Sequence, residues 1–408
     1  MAVPMLRFKE FDGAWSETLF QDLFIFKNGV NASKEQYGSG IKFINVLDII
    51  NNPNGITYDS IIGSVNITSK EIDKNLVKYG DVLFQRSSET REEVGQSNVY
   101  LGKDPVVFGG FVIRGSAQKE YDPIFMNGLL KTDSLRDQIT QLSGGSTRFN
   151  IGQDSLNKVS AYLPLKEEQT KIASFLSAVD EKISQLTQKH ALLSQYKQGM
   201  MQKLFSQQIR FKADDGSEFG EWEEKPLNEI ASKRSGKNKD GSISEVLTNS
   251  ATQGIIKQSD YFEREIVTES NLNGYYIVNL DDFVYNPRIS VHAPVGPIKR
   301  NKKCLGVMSP LYTVFTVVEG NLAYLEYFFD SNFWHDYVKG VANSGARHDR
   351  MNITNKDFFD MPILYPCLEE QTKIANFLSA IDQKIEVVSQ QIEQAKQWKK
   401  GLLQQMFV

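Results

Sequence analysis

At 408 residues the chain exceeds the size that one hydrophobic core usually serves, so two or more domains are expected. With 40% apolar and 24% charged residues, and no apolar run near the roughly 20 residues of a membrane span, the composition excludes a membrane-embedded protein. A formal net charge of -4 argues against a free-standing nucleic-acid binder, because such domains tend to be basic; any DNA-facing surface must be a local patch.

Two cysteines, Cys304 and Cys367, exclude a disulfide framework and point to a reducing cytoplasm. Together with four scattered histidines they offer no ligand pairs at zinc spacing.

The first segment opens with Leu6-Arg7-Phe8-Lys9, then Trp15 followed by Phe20, Asp22 and Leu23. G-D-V-L-F-Q-R, from Gly80 to Arg86, is rich in β-branched and aromatic residues and reads as a strand ending in a loop with an arginine. The glycine pair of V-F-G-G-F-V, from Val107 to Val112, falls short of a cofactor-binding loop. A helix-like stretch over 124–142 gives way to a small-residue loop, S-G-G-S-T-R-F-N-I, from Ser143 to Ile151.

The stretch from Pro164 to Phe205 then returns without a gap as Pro366 to Phe407, displaced by 202 residues and identical at half of its positions. Ile172, Leu176, Val179, Ile183, Leu186 and Leu193 follow at alternating steps of four and three, interrupted once by His190. Ile374, Leu378, Ile381, Ile385, Val388 and Ile392 repeat the steps in the second copy. A sustained 4-3 repeat marks a coiled coil, and each helix would be about 60 Å long. Lys197 and Lys399 share one register position, where a polar seam residue fixes alignment or the seam frays. About 160 residues separate the copies, enough for a domain to fold between them, so an antiparallel pairing within one chain is expected over dimerisation.

Between the copies, Ile209-Arg210-Phe211-Lys212 and Trp222 with Leu227, Glu229 and Ile230 restate the opening of the first segment. D-D-F-V-Y-N-P-R, from Asp281 to Arg288, restates its strand, a helix-like stretch covers 322–341, and S-G-A-R-H-D-R-M-N-I, from Ser344 to Ile353, restates its loop. There the offset of 202 already holds, aligning Arg148 with Arg350 and Asn150 with Asn352.

Glycines let a loop approach a partner closely, and arginine and asparagine offer the forked donors that read guanine and adenine edges. The candidate DNA-binding residues are therefore Arg86, Ser87, Arg114, Arg148 and Asn150 in the first domain. In the second they are Arg288, Ser290, Lys299, Arg300, Arg347, Arg350 and Asn352. Basic clusters at Lys299-Arg300-Asn301-Lys302-Lys303, Lys233-Arg234 with Lys237 and Lys239, and Arg347-His348-Asp349-Arg350 are candidate patches or solvated loops. The paired acids Asp281-Asp282 and Glu167-Glu168 read as solvated charge, and no phosphate-binding glycine loop is present.

Two variable segments alternating with near-identical helices, each introduced by Pro-x-x-Glu-Glu-Gln, with G-D-V-L-F-Q-R and with Ser309-Pro310-Leu311-Tyr312, resemble the DNA specificity subunit of type I restriction-modification systems. The resemblance covers essentially the whole chain. It implies an α+β fold of two pseudo-symmetric α/β target recognition domains, 1–163 and 206–365, separated by two spacer helices, 164–205 and 366–408, in an antiparallel intramolecular coiled coil. It further implies a non-catalytic, cytoplasmic subunit, one copy per complex, that reads one half of an asymmetric bipartite DNA site with each domain. Implied partners are double-stranded DNA, two methyltransferase (modification) subunits and motor-nuclease (restriction) subunits. S-adenosylmethionine, ATP and Mg would reside in those partners and no cofactor in this chain. The opposing expectation is a purely structural or protein-recognition adaptor with the same layout.

Overall fold

The computed structural model describes residues 2–261, 269–342 and 349–408. They form two compact units, 1–188 with 388–408 and 189–387, so the division falls inside the long helices rather than at their ends. Each unit holds one mixed α/β domain and a half of each long helix, Lys166–Phe205 and Leu368–Met406. Among the described residues no helix is long and apolar enough to cross a membrane.

In the first unit, four antiparallel strands lie in the order Phe24–Asn28, Val112–Ala117, Val82–Gln85, Ser97–Val99. The run Val82-Leu83-Phe84-Gln85 is buried at every position, so this strand is covered on both faces. On one side lie Phe20, Phe24, Phe84 and Phe125, closed by the helices Pro123–Leu129 and Asp133–Gln141. Asp122 starts the first of these, its carboxylate accepting from the backbone N–H of Ile124 and Phe125, with Pro123 at the first helical turn. On the other side Leu83 joins Ile44, Ile56, Tyr100 and Phe108 in a smaller core.

The second unit repeats the plan with the strands Ala231–Lys233, Thr313–Val317, Phe283–Tyr285 and Ile298–Arg300. Phe283 is paired with Phe315 and with Arg300, as Val82 is with Gly115 and Val99. Asn321 caps the helix Leu322–Asp330 as Asp122 caps its counterpart.

The long helices close each unit. In the first, Ile172, Leu176, Val179 and Leu186 are buried, Ile183 is partly so, and Leu402, Met406 and Phe407 join the domain core beside Trp15 and Phe125. Val388 and Ile392 are buried in the same unit. In the second, Ile374, Leu378 and Ile381 are buried with Met201, Leu204 and Phe205, while Ile385 and Leu193 are partly covered. The helices pair antiparallel.

The seam lysines have partners that their own helix does not supply. Lys399 Nζ lies 2.5 Å from Asp180 in the first unit, and Lys197 Nζ lies 2.6 Å from Asp382 in the second. Asp180 and Asp382 are themselves related by the offset of 202, so one lysine and one aspartate per helix make two equivalent pairs. Such a pair forms at one alignment of the helices only, and it fixes register as a buried polar seam residue does.

The Glu-Glu-Gln signature is a clamp, and the expectation of solvated charge fails for Glu168 and for Asp282. Glu168 is buried and accepts from Arg7 Nε and Nη2, both at 2.7 Å, and from Trp15 Nε1 at 3.4 Å. Glu370 is buried and accepts from Arg210 at 3.1 and 2.8 Å and from Trp222 Nε1 at 2.9 Å. A two-pronged guanidinium and an indole N–H replace the water that a buried carboxylate loses. The next residue closes the turn before the helix: Gln169 Nε2 donates to Pro164 O and its Oε1 accepts from Asp122 N. Gln371 does the same with Pro366 and Asn321. Asp282 is likewise buried, accepting from Asn279 N and Arg234.

Candidate nucleic-acid interface

In the first unit the central strand ends at Gln85 and the chain leaves the sheet at Arg86, which is exposed. Arg86 N donates to Phe111 O at 2.9 Å, and Arg86 O accepts from Ile151 N at 3.0 Å. The chain then pairs with the small-residue loop, Ser87–Ser88 against Phe149–Asn150, with Ser87 opposite Asn150. Gly144 and Asn150 exchange both backbone hydrogen bonds, at 2.9 and 2.8 Å. Gly145 has φ +124°, and a Cβ there would lie 2.1 Å from Arg148 O, so the loop requires glycine. Arg86, Arg148 and Asn150 are thus brought together on one exposed ledge with Ser87 half-buried beneath.

The second unit builds its ledge from the same two pieces. Arg288 stands opposite Arg350, Ile289 N donates to Asp349 O at 3.0 Å, and Met351 N donates to Pro287 O at 2.9 Å. Arg288, Ser290 and Asn352 are exposed, and Arg350 is half-buried with its Nε 3.8 Å from Asp349. Arg288, Ser290 and Arg350 line a cavity of about 740 Å³ together with Asn249, Ser309 and Tyr312. Asn249 is buried and fixed, its amide donating to Val284 O at 2.7 Å and Pro297 O at 3.2 Å. Tyr312 OH lies 3.2 Å from Thr248 Oγ1.

The ledges are equivalent, yet not residue for residue. Asp81 and Asp282 occupy the same place before their strands, each accepting from the N–H three residues earlier, which makes Ser87 the counterpart of Arg288. Their partners across the ledge are Asn150 and Arg350. The constant sequence offset pairs Arg148 with Arg350 and Arg86 with Arg288, so it misaligns the ledge. A loop between a strand and a helix can absorb two residues without moving either.

Three candidates are corrected. Arg114 is drawn into its own domain: it donates to Leu76 O, lies 3.8 Å from Asp81 and covers the Phe108 ring. Burial pushes its guanidinium pKa down against the pull of Asp81, and burial pushes the Asp81 carboxyl up. Lys299 is held by Asp330 at 2.5 Å, and Arg300 by Asp281 at 2.6 Å and Glu326 at 3.7 Å. Asp330 and Glu326 come from the helix Leu322–Asp330, and Asp281 from the turn before the neighbouring strand Phe283–Tyr285. Lys302 also pairs with Glu326, so most of the charge in that cluster is neutralised internally, and in the cluster of Lys233 and Arg234 the arginine pairs with Asp282. Arg347 and His348 lie outside the described residues.

Asn249, Ser309 and Tyr312 line the cavity of the second unit and were not among the candidates. Ser309 and Tyr312 had a signal, the Ser-Pro-Leu-Tyr motif; Asn249 sits in an ordinary polar strand and had none.

The family model for the type I restriction modification DNA specificity domain matches residues 15–195 and 220–397. A putative type I restriction enzyme MjaX specificity subunit from Methanocaldococcus jannaschii is 27% identical over 95% of this chain and 92% of its own length. The type I restriction enzyme MjaVIII specificity subunit of the same organism is 26% identical over 83% and 80%. Among solved structures, a chain from a study of assembly and conformational transition in the type I R-M system aligns with TM-score 0.59 at 16% identity, over 98% of both chains. The S subunit from M. genitalium aligns with TM-score 0.53, also at 16% identity, over 100% of this chain and 99% of its own. Both halves of the sequence match, and the chain therefore belongs to the type I restriction modification DNA specificity family, carrying two copies of its specificity domain.

Proposed function

We propose that this chain is the non-catalytic sequence-recognition subunit of a type I restriction-modification complex. Each domain reads one half of an asymmetric bipartite DNA site, while the paired helices set the unread spacer and dock two methyltransferase subunits. The observation that carries the reading is the ledge found in both units. A buried central strand delivers its end to an Arg/Asn loop and zips the two together, so exposed forked donors stand on a rigid base. Because the ledges carry different residues at equivalent places, Ser87 with Asn150 against Arg288 with Arg350, the two half-sites differ.

One copy of the chain serves one complex in the cytoplasm. S-adenosylmethionine chemistry belongs to the two modification subunits, and ATP- and Mg-dependent motion to the restriction subunits. With a net charge of -4, much of the phosphate attraction comes from those partners. The test is methylation sequencing of DNA from a host carrying the complete system. Two unlike half-sites flanking a fixed unread spacer are expected; a single symmetric site, or methylation lost when this chain is absent but without any defined motif, would overturn the assignment.

A further inference from the structure

The turn that supports each ledge ends in an exposed apolar side chain. In the first unit Val112 N donates to Gly109 O at 2.9 Å, closing a four-residue turn with Phe111 at its third position. In the second, Tyr312 N donates to Ser309 O at 3.1 Å, closing the same turn with Leu311 at its third position. Both turns lead into the strand beside the central one, with Gln85 paired to Val112 and Tyr285 to Thr313. Phe111 is 64% exposed and Leu311 is 59% exposed.

The two turns are held by different chemistry. In the first, a Cβ on Gly110 would lie 1.8 Å from Asn31 Oδ1 and one on Gly109 2.6 Å from the Phe43 ring, so the glycine pair lets the turn lie against these side chains without displacing them. In the second, Pro310 presets the backbone at the second turn position and Ser309 Oγ accepts from Leu311 N at 3.4 Å. Single exposed apolar residues are ordinary. Two at one place, on turns fixed by unrelated means in diverged domains, share a requirement. Each also touches the candidate DNA surface: Arg86 donates to the carbonyls of Gly110 and Phe111, and Leu311 lines the same cavity as Arg288 and Arg350.

We infer that Phe111 and Leu311 are apolar wedges, each inserting between adjacent base pairs of its half-site beside the arginine ledge. The inference rests on the DNA-reading function proposed above. Leucine and phenylalanine are side chains that unstack a base step when a rigid backbone presents them and cations hold the flanking phosphates. Contact with a thymine methyl group would instead demand thymine at the same place in both half-sites. A wedge makes no such demand, so it suits domains that read different bases.

The test uses the chain assembled with its modification subunits and duplexes of the methylated site in which 2-aminopurine replaces one base at a time. The wild-type complex should raise the emission at one step in each half-site. Phe111→Ala should abolish the rise in one half-site only and Leu311→Ala in the other only, with Phe111→Leu retaining it and melting temperatures unchanged. Specific binding without any rise in emission, or a rise that survives both alanine variants, overturns the wedge while leaving the DNA-reading function intact. A wild-type complex that binds no duplex specifically defeats that function instead.

Discussion

Replacing Asp180 by alanine removes the partner of Lys399 in a seam position where both side chains are about three-quarters withdrawn from water, at 23% and 24% exposure. A hydrogen bond to a charged group contributes about 1.5–3 kcal/mol, and partial solvent access lowers this to about 1–2 kcal/mol here. The loss is compounded because Lys131 lies near enough to Lys399 for its pKa to be depressed by it, and Asp180 is the charge that opposes the repulsion. For a unit of about 200 residues each kcal/mol lowers the melting temperature by about 2–4 °C, so Asp180→Ala should melt about 2–8 °C lower. Lys399→Ala should cost less, since it also relieves the repulsion at Lys131 and gives up only the 3.1 Å bond to Asn54 besides the pair. The exchanged pair, Asp180→Lys with Lys399→Asp, should recover part of the loss in a double-mutant cycle followed by thermal and urea unfolding. Single variants as stable as wild type, or an exchange no better than the sum of its singles, would refute the claim that this pair fixes the register.

The clamp at the other helix gives a larger effect: Glu370→Ala leaves Arg210 and Trp222 without their buried acceptor and should destabilise by about 3–5 kcal/mol in urea titration. On the ledges, Arg148→Ala, Arg288→Ala and Arg350→Ala should each weaken binding of the assembled complex to its site by about 1–3 kcal/mol in a salt-controlled titration. Their melting temperatures should stay unchanged, whereas Arg114→Ala should lower melting and leave the methylated motif as it is. Burial, with the nearby Lys399, brings the Lys131 pKa down to about 8 from the ordinary 10.5. The unfolded chain therefore binds more protons between these values, and stability should rise as pH increases from about 8 to 10.5. Lys131→Met should flatten that rise in urea midpoints measured across the range.

The long helices and their pairing were legible because the 4-3 apolar repeat is a local pattern that burial then enforces: the named seam positions are buried or partly so. The doubled plan was legible because it is written as a repeat. Glu168 and Asp282 were misread because a buried acid differs from a solvated one only through a partner distant in sequence, Arg7 or Arg234, and no local pattern encodes that pairing. For the same reason Arg114, Lys299 and Arg300 looked like free cations: their carboxylate partners come from elsewhere in the fold. The ledge itself was half legible. Its loops stood out by composition, but the two-residue slip that sets Arg350 opposite Arg288 is a property of strand pairing, which an ungapped offset cannot reveal.

The first unit is assembled from residues 1–188 and 388–408, and Leu6 N donates to Gln405 O across that gap. On the ribosome its two parts are made about 200 residues apart, a delay of about 10–40 s at ordinary elongation rates. The second unit, continuous from 189 to 387, can close first. Until Leu402, Met406 and Phe407 arrive, the nascent first domain holds Trp15, Phe125 and Leu176 without their covering layer. A transcript truncated anywhere within the second unit therefore yields an open apolar face rather than a working half-protein, and nascent-chain chaperones should be recruited to the first domain for the whole interval.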